Sequence, residues 1–329
     1  MPIQPILKVG TFNVLNLALP NEPFYNEKPY SLPIFEQKIQ WIARQLQSMN
    51  ADILGFQEVF HLEALQTALQ TSGQYESAKV IAPPRLGEGP VVACVSRLPV
   101  LRHRIYSDFP DQATIAFEGS SLAITKFSRA VLSVDIDLGN DVECTVFIVH
   151  LKSKRPIFLD QVDRHDPIEK AKGQVRALLQ RAAEAIALRT ILMEFLQDRN
   201  YPVIVMGDIN DSHLAVTSQI LTGEPPPPHL PFEHKKDRWD TLLYSVKDLH
   251  ARRSFGDFYY THIHNGHYES IDHILVSQEF VAENPHRVGR VSYVAVWNDH
   301  LVDETMSQDR MQPWQSDHAQ VVATIELGR

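Results

Sequence analysis

Six short apolar stretches of the chain begin or end on a polar residue that strand packing does not require. Asn13 lies in Thr-Phe-Asn-Val, Glu58 in Gly-Phe-Gln-Glu-Val and His150 in Ile-Val-His-Leu-Lys-Ser. Asp208 and Asn210 lie in Val-Met-Gly-Asp-Ile-Asn-Asp, Asp272 in Ser-Ile-Asp-His-Ile-Leu, and Asp317 and His318 in Gln-Ser-Asp-His-Ala. A carboxylate buried without a partner is costly, and six such ends converging on one rim could satisfy one another around a metal ion. Carboxylates with two histidines can also position a water and neutralise developing charge, which is what phosphodiester hydrolysis requires. No side-chain nucleophile is needed for that chemistry, and the chain has no Gly-x-Ser-x-Gly. It has no P-loop either, which argues against a nucleotide-driven motor.

The elements that must carry these residues follow from periodicity. Ten runs rich in Val and Ile, bounded by Gly, Pro, Asn or Asp, predict strands. They are Lys8–Leu15, Asp52–Val59, Val91–Ser96, Ala130–Ile136, Cys144–His150, Val203–Gly207, Phe258–His262, Ile271–Ser277, Val291–Val296 and Ala319–Leu327. Three helices are predicted: Pro33 to Met49, Leu62 to Leu69, and about Ile168 to Leu196. The third shows a stripe of Val175, Leu179, Ala182, Ile186, Ile191 and Phe195. Asn265-Gly266 predicts a tight hairpin, since its two central residues need positive φ. Many strands with few long helices predict an α/β (α+β) fold, a four-layer sandwich of two mixed β-sheets packed face to face with helices outside. Pro225 to Pro228 fits neither helix nor central strand. The expected organisation is therefore one domain over 1–329 with a Pro-rich surface loop near 223–233.

These segments, in this order from Thr11 to about Leu327, resemble the endonuclease/exonuclease/phosphatase superfamily. That superfamily holds deoxyribonuclease-I-like and exonuclease-III-like nucleases, inositol polyphosphate 5-phosphatases and neutral sphingomyelinases. The run His150-Leu-Lys-Ser-Lys154, then an Ala-rich helix, then Val-Met-Gly-Asp-Ile-Asn-Asp211, is most similar to its bacterial nuclease-like branch. The resemblance implies roles. Glu58 is the main ligand of a divalent metal, with Asp317 and Asn13 close by, and such oxygen ligands suit Mg²⁺ or Mn²⁺. Asp208 orients or deprotonates the attacking water, and Asn210 holds a phosphate oxygen or that water. His318 donates to the developing charge, Asp272 holds its ring, and His150 contacts the phosphate from the other side. The final motif departs from a common Ser-Asp-His-x-Pro pattern, with Gln320 in place of the proline.

Other residues read two ways. Lys152 and Lys154 form either a solvated basic loop or a phosphate-facing rim. Arg129, in Phe-Ser-Arg-Ala, resembles an arginine that relatives place near substrate, and reads equally as half of a surface salt bridge. Asn298-Asp299-His300 could lean over the site through Asn298 and His300, or form a simple turn. His262, His264 and His267 read as an exposed hairpin more readily than as a second metal site, and Tyr259 and Tyr260 as packing residues more readily than as base-stacking ones.

Composition sets outer limits. The 329 residues are 44% apolar and 22% charged, an ordinary globular balance. Lys and Arg total 31 against 40 Asp and Glu, and the net charge of −9 argues against a basic face that coats duplex nonspecifically. It does not argue against an enzyme that acts on nucleic acid. Cys94 and Cys144 sit in apolar runs and predict buried, reduced thiols. No stretch is long enough to span a membrane, and the N-terminus lacks a secretory pattern, so a cytoplasmic location is expected. No obligate protein partner is evident. The expectation is a divalent-metal-dependent phosphodiester hydrolase, a nuclease acting on DNA or RNA with nucleic acid (DNA foremost) as partner. The alternative is a phosphatase or phosphodiesterase on inositol phosphates, phospholipids or small nucleotides.

Overall fold

A computed structural model describes residues 5–25, 28–84, 89–117, 119–121, 123–227, 229, 231–251 and 259–328. The first half of the chain forms β1 (Ile6–Leu17), α1 (Leu32–Met49), β2 (Ile53–Val59), α2 (Leu62–Ser72), β3 (Lys79–Ile81), β4 (Val91–Ser96) and β5 (Val100–Asp108). The short strands β6 (Ala116–Phe117) and β7 (Ser120–Ser121) precede β8 (Lys126–Asp137) and β9 (Glu143–His150). Then come α3 (Pro167–Leu196), β10 (Val203–Asp208), α4 (Val216–Thr222), α5 (Phe232–Trp239), β11 (Tyr244–Ser245) and α6 (Val246–Ala251). The chain closes with β12 (His262–His264), β13 (His267–Glu269), β14 (Asp272–Val276), β15 (Gly289–Trp297) and β16 (Gln320–Leu327).

Two six-stranded sheets result, in the orders β15-β16-β1-β2-β4-β3 and β11-β14-β10-β9-β8-β5. Each contains one parallel pair, β1 with β2 and β9 with β10, and the other pairs are antiparallel. A parallel pair needs a crossover, and the two crossovers are α1 and α3. The molecule is thus built on two β-helix-β units, whose strands carry Asn13, Glu58, His150 and Asp208 in their carboxyl-terminal halves. Open sheets of this kind place their chemistry beyond the carboxyl ends of such strands.

Period-two alternation divides the core into layers. Leu7, Val9 and Ile53 of one sheet face Val146, Ile148, Ile204 and Met206 of the other. The sheets approach so closely that a Cβ on Gly55 would lie 3.2 Å from both Ile148 and Met206. The opposite faces take the helices: Phe12, Leu54 and Phe56 pack on Ile39, Ile42 and Leu46 of α1, and Phe147, Val149 and Val205 pack on Leu188 and Leu192 of α3. Each fully buried side chain of this kind contributes about 1.5–3 kcal/mol. Both cysteines are free and fully buried in the layer between the sheets. Burial pushes the Cys94 thiol up to about 12, and Cys144 also upward.

Four expectations change. The stripe on α3 is different from the one its apolar residues suggest. Val175 and Leu179 are exposed, and the buried face runs through Gly173, Ala177, Arg181, Glu184, Leu188 and Ile191. A polar pair occupies that face because its partners are loops with backbone groups to satisfy. Strand β5 was not expected, because as an edge strand it carries exposed Leu101 and Arg102-His103-Arg104 without alternation. The Pro-rich loop ends at Pro231, where α5 begins. Of the expected strand Phe258–His262, Phe258 lies outside the described residues and the strand starts at His262. The hairpin stands as expected, with Asn265 and Gly266 at φ 49° and 77° between β12 and β13.

Gly207, immediately before Asp208, has φ 148°, and a Cβ there would lie 2.0 Å from the carbonyl oxygen of Val149. The obstacle is backbone of the paired strand and cannot rotate away. Gly207→Ala is therefore expected to lower stability by at least about 2 kcal/mol in urea unfolding, and an unchanged midpoint would show that β9 and β10 separate at little cost.

Candidate active site

Strand alternation alone aims most of the site inward. Asn13 shares the face of Val9, His150 that of Val146 and Ile148, Asp208 that of Ile204 and Met206, and Asp272 that of Ile274 and Val276. Glu58 is the exception, since its position in β2 follows Leu54 and Phe56 toward α1. The register of β2 breaks between Phe56 and Val59, and Glu58 adopts φ 63°. That left-handed bulge turns the carboxylate to the strand end, where Oε2 accepts from the Asn16 N–H at 3.0 Å. Leu15 and Asn16 are also left-handed, at φ 47° and 52°. Three strained residues in succession across two strands mark a rim held in place by its surroundings.

The centre is Asp208. Its Oδ2 accepts from Asn13 Nδ2 at 3.1 Å and lies 3.4 Å from His150 Nε2 and 3.8 Å from His318 Nε2. Its Oδ1 accepts from the Asn210 N–H at 2.8 Å, and Asn210 is left-handed with φ 60°. His318 Nδ1 donates to Asp272 Oδ2 at 2.9 Å. Ser316 fixes the approach, donating to the Asn13 carbonyl at 2.7 Å and accepting from the His318 N–H at 3.0 Å. Asp317 Oδ1 lies 3.9 Å from His318 Nε2, and Asp317 Oδ2 lies 3.7 Å from His262 Nε2. His262, at the base of the hairpin, thus faces the site rather than the solvent expected for it.

Charge is distributed unequally. Burial raises Asp208 to about 7, Asp272 and Glu58 add to the rise, and His318 and the Asn210 N–H oppose it. Burial alone would lower His318, but the Asp272 and Asp208 charges outweigh it and hold the imidazole protonated well above its ordinary range. His150 goes the other way, lowered by burial and then by Arg129, His318 and Lys152, so it is neutral at neutral pH. Burial would raise Asp317, but the His262 hydrogen bond and the His318 and His262 charges bring it down to about 2.

The donor set fits a hard divalent ion. Asp317 Oδ1 and Asn16 Oδ1 are buried acceptors with no hydrogen-bond partner among the described residues. Glu58 accepts from the Asn16 N–H at 3.0 Å and from Asn13 Nδ2 at 3.5 Å. Oxygens gathered without donors are what Mg²⁺ or Mn²⁺ selects. Asn13 turns its amide nitrogen toward Glu58 and Asp208, while its Oδ1 accepts from the Leu15 N–H at 3.1 Å. Ligand atoms of His262, Asp317 and His318, and separately of Asp208, Asp272 and His318, lie within 4.8 Å of one another.

The outer residues are less uniform. Arg129 acts electrostatically on His150 and Lys152, and its buried Nε and Nη1 have no hydrogen-bond partner among the described residues. Lys152 Nζ folds back onto Ser153 and the Arg155 carbonyl, and burial lowers it to about 8. Lys154 pairs with Glu269 at 2.7 Å. Asn210 Nδ2 donates to the Leu151 carbonyl at 3.0 Å. Asn298 Nδ2 donates to the Tyr260 carbonyl at 3.2 Å and His300 Nε2 to the His318 carbonyl at 3.0 Å, so both hold backbone around the site. Tyr259 packs against the core and Tyr260 against Tyr268.

Three buried charged residues escaped the sequence reading. Lys38, fully buried on α1, has a bare Nζ; burial lowers it to about 8 against the opposing pull of Glu58 and Asp317. Its signal was a lysine on the apolar stripe Phe35, Ile39, Ile42 and Leu46. Arg181 and Glu184, one turn apart on α3, clamp the loops. Arg181 pairs with Asp211 at 2.6 Å and donates to the Lys152 carbonyl at 3.1 Å. Glu184 accepts from the Ser128 N–H, the Ser128 hydroxyl and the Lys152 N–H, each at 2.5–2.7 Å. Residues 128 and 152 flank Arg129 and His150, so α3 sets the spacing of the cationic side.

The comparisons with known proteins agree with this geometry. The model of the Endonuclease/Exonuclease/phosphatase family matches residues 10–318. No curated protein matches the sequence. Among solved structures, an endonuclease/exonuclease/phosphatase family protein from Leptotrichia buccalis is similar at 14% identity and TM-score 0.51, covering 98% of this chain and 100% of that one. Humanized D. rerio TDP2 is similar at 13% and 0.56, covering 97% and 98%. The human Nocturnin catalytic domain is similar at 15% and 0.53, covering 99% and 96%. At such identities these likenesses establish the fold.

Two outcomes are expected from the site itself. Glu184→Ala leaves the Ser128 and Lys152 N–H groups without their carboxylate acceptor and should cost about 2 kcal/mol in urea unfolding, against under about 1 kcal/mol for exposed Glu194→Ala. Asp208, raised when folded, gives stability that is complete below its ordinary carboxylate range and is lost as pH climbs to about 7. Asp208→Asn removes that loss. In EDTA it should be more stable than the parent by about 1–3 kcal/mol near pH 8, with the gain vanishing near pH 4; equal melting curves at both would show Asp208 to be unperturbed.

Proposed function

The chain belongs to the Endonuclease/Exonuclease/phosphatase family, and from that premise we propose that it is a divalent-metal-dependent phosphodiesterase that cleaves nucleic acid strands. The observation that carries this reading is the buried Asp208, set between a neutral His150 and a protonated His318 that Asp272 holds, with Glu58 and Asp317 beside them. Glu58 and Asp317 are the residues that would hold Mg²⁺ or Mn²⁺, with Asn13 adjacent. When bound, the ion polarises the phosphate and stabilises the leaving oxygen.

The chain's own groups supply the rest. Asp208 Oδ2 accepts the proton of the attacking water, and a value near 7 suits a base that works at neutral pH. Asn13 Nδ2 and the Asn210 N–H hold the carboxylate in one orientation. His318 donates from Nε2 to the charge that develops on the phosphoryl oxygens, and Asp272 on Nδ1 fixes the ring and keeps it cationic. Neutral His150 donates to the same phosphate from the other side, without placing a second positive charge beside the base. Arg129, whose buried Nε and Nη1 have no hydrogen-bond partner among the described residues, supplies a guanidinium for a phosphate oxygen.

A second reading is hydrolysis of a small phosphoester. It is favoured by the pairing of Lys154 with Glu269 and the folding back of Lys152, which engage two cations of the rim in a chain of net charge −9.

A time course on supercoiled plasmid with Mg²⁺ or Mn²⁺ separates the two. Nicked and then linear DNA is expected, abolished by EDTA and slowed about 10²–10⁴-fold by His318→Ala. Intact plasmid and intact linear DNA, with turnover of a panel of small phosphoesters, would replace the nuclease reading with the second.

A further inference from the structure

Lys38 has no role in the chemistry just described, and its position is expensive. It is fully buried, and its ammonium has no hydrogen-bond partner among the described residues. Its neighbours on α1, Phe35, Ile39, Trp41 and Ile42, are buried apolar side chains, which a methionine would serve better than a lysine. Among the described residues, the groups that compensate it are the Tyr30 ring, 5.6 Å from Nζ, and the negative charges of Glu58 and Asp317. Glu58 lies on β2 and Asp317 just before β16, and α1, the crossover between β1 and β2, brings the ammonium within electrostatic reach of both.

From this arrangement we infer that Lys38 is a built-in counter-cation of the metal pocket, which balances Glu58 and Asp317 in the metal-free protein and weakens their hold on the divalent ion. The inference rests on the reading that these carboxylates hold the ion. The physical reason is direct. The ammonium and the ion draw on the same negative charge, and like charges in a low-dielectric pocket repel. Lys38 is held on α1 and sealed from solvent, so it neither leaves when the ion arrives nor reaches substrate. It acts through Glu58 and Asp317 as a positioning residue. The consequence is a site that folds without metal and exchanges its ion readily.

Isothermal titration of the full chain with Mg²⁺ and with Mn²⁺ tests this. Lys38→Met keeps the length of the side chain and removes the charge, and should bind either ion at least about tenfold more tightly than the parent. Lys38→Arg keeps the charge and should stay within about threefold. Lys38→Gln, which retains a polar head, should tighten binding as Met does, and serves if the methionine variant does not fold. A purely structural lysine predicts unchanged affinity in every folded variant. Unchanged or weaker binding in Lys38→Met and Lys38→Gln, with normal binding by the parent, overturns the counter-cation while leaving the metal reading intact. A parent chain that binds neither ion, and a Glu58→Gln variant that behaves identically, overturns the metal reading and the inference with it.

Discussion

The two sheets of this molecule meet chemically at a pair of buried carboxylates, Asp208 and Asp272, of which Asp208 gathers the most partners. Asp208 ends a strand of the second sheet, yet the groups around it come from both: Asn13 and His318 from the first, His150 from its own. In the apolar layer between them the sheets touch through residues such as Val, Ile, Met and Leu, which fix distance without fixing direction. At Asp208 the contact is directional. Its orientation depends on the bond across the sandwich from Asn13 and on the Asn210 turn behind it. The left-handed residues of the rim, Leu15, Asn16, Glu58 and Asn210, are the backbone's adjustment to that requirement.

Duplicated topology explains why the polar residues accumulate at one end. Each sheet is organised around a parallel pair joined by a long helix, and both pairs point their carboxyl ends at the same rim. The helices do more than cover the sheets. α1 carries Lys38 to the carboxylate side, and α3 carries Arg181 and Glu184 to the loops of the cationic side. Each crossover thus places buried charge under the half of the site its own strands provide.

Much of this was legible in the sequence. A polar residue closing a Val- and Ile-rich run stands out because apolar strands have no use for it, and Asn13, Glu58, His150, Asp208, Asp272 and His318 all have that signature. The order of the motifs carried the family resemblance. Lys38, Arg181 and Glu184 were hidden for the complementary reason. On a helix, a charged residue between apolar ones reads as an interruption of the stripe, and only the packing shows that it lies inside. The same blindness put Val175 and Leu179 on the buried face of α3, where volume was read and partners were not. Strand β5 was missed because an edge strand needs no alternation, and the turn of Glu58 because a bulge leaves no mark in residue type.

The two cysteines have a practical side. Cys94 and Cys144 are sealed between the sheets, and burial pushes both thiols far from the range in which they ionise at neutral pH. Since the thiolate is the reactive form, neither is open to alkylation while the fold is intact. The native chain therefore presents a silent background to maleimide chemistry. A single cysteine introduced on an exposed loop becomes an addressable handle for a fluorophore or a spin label, with no native thiol to remove first.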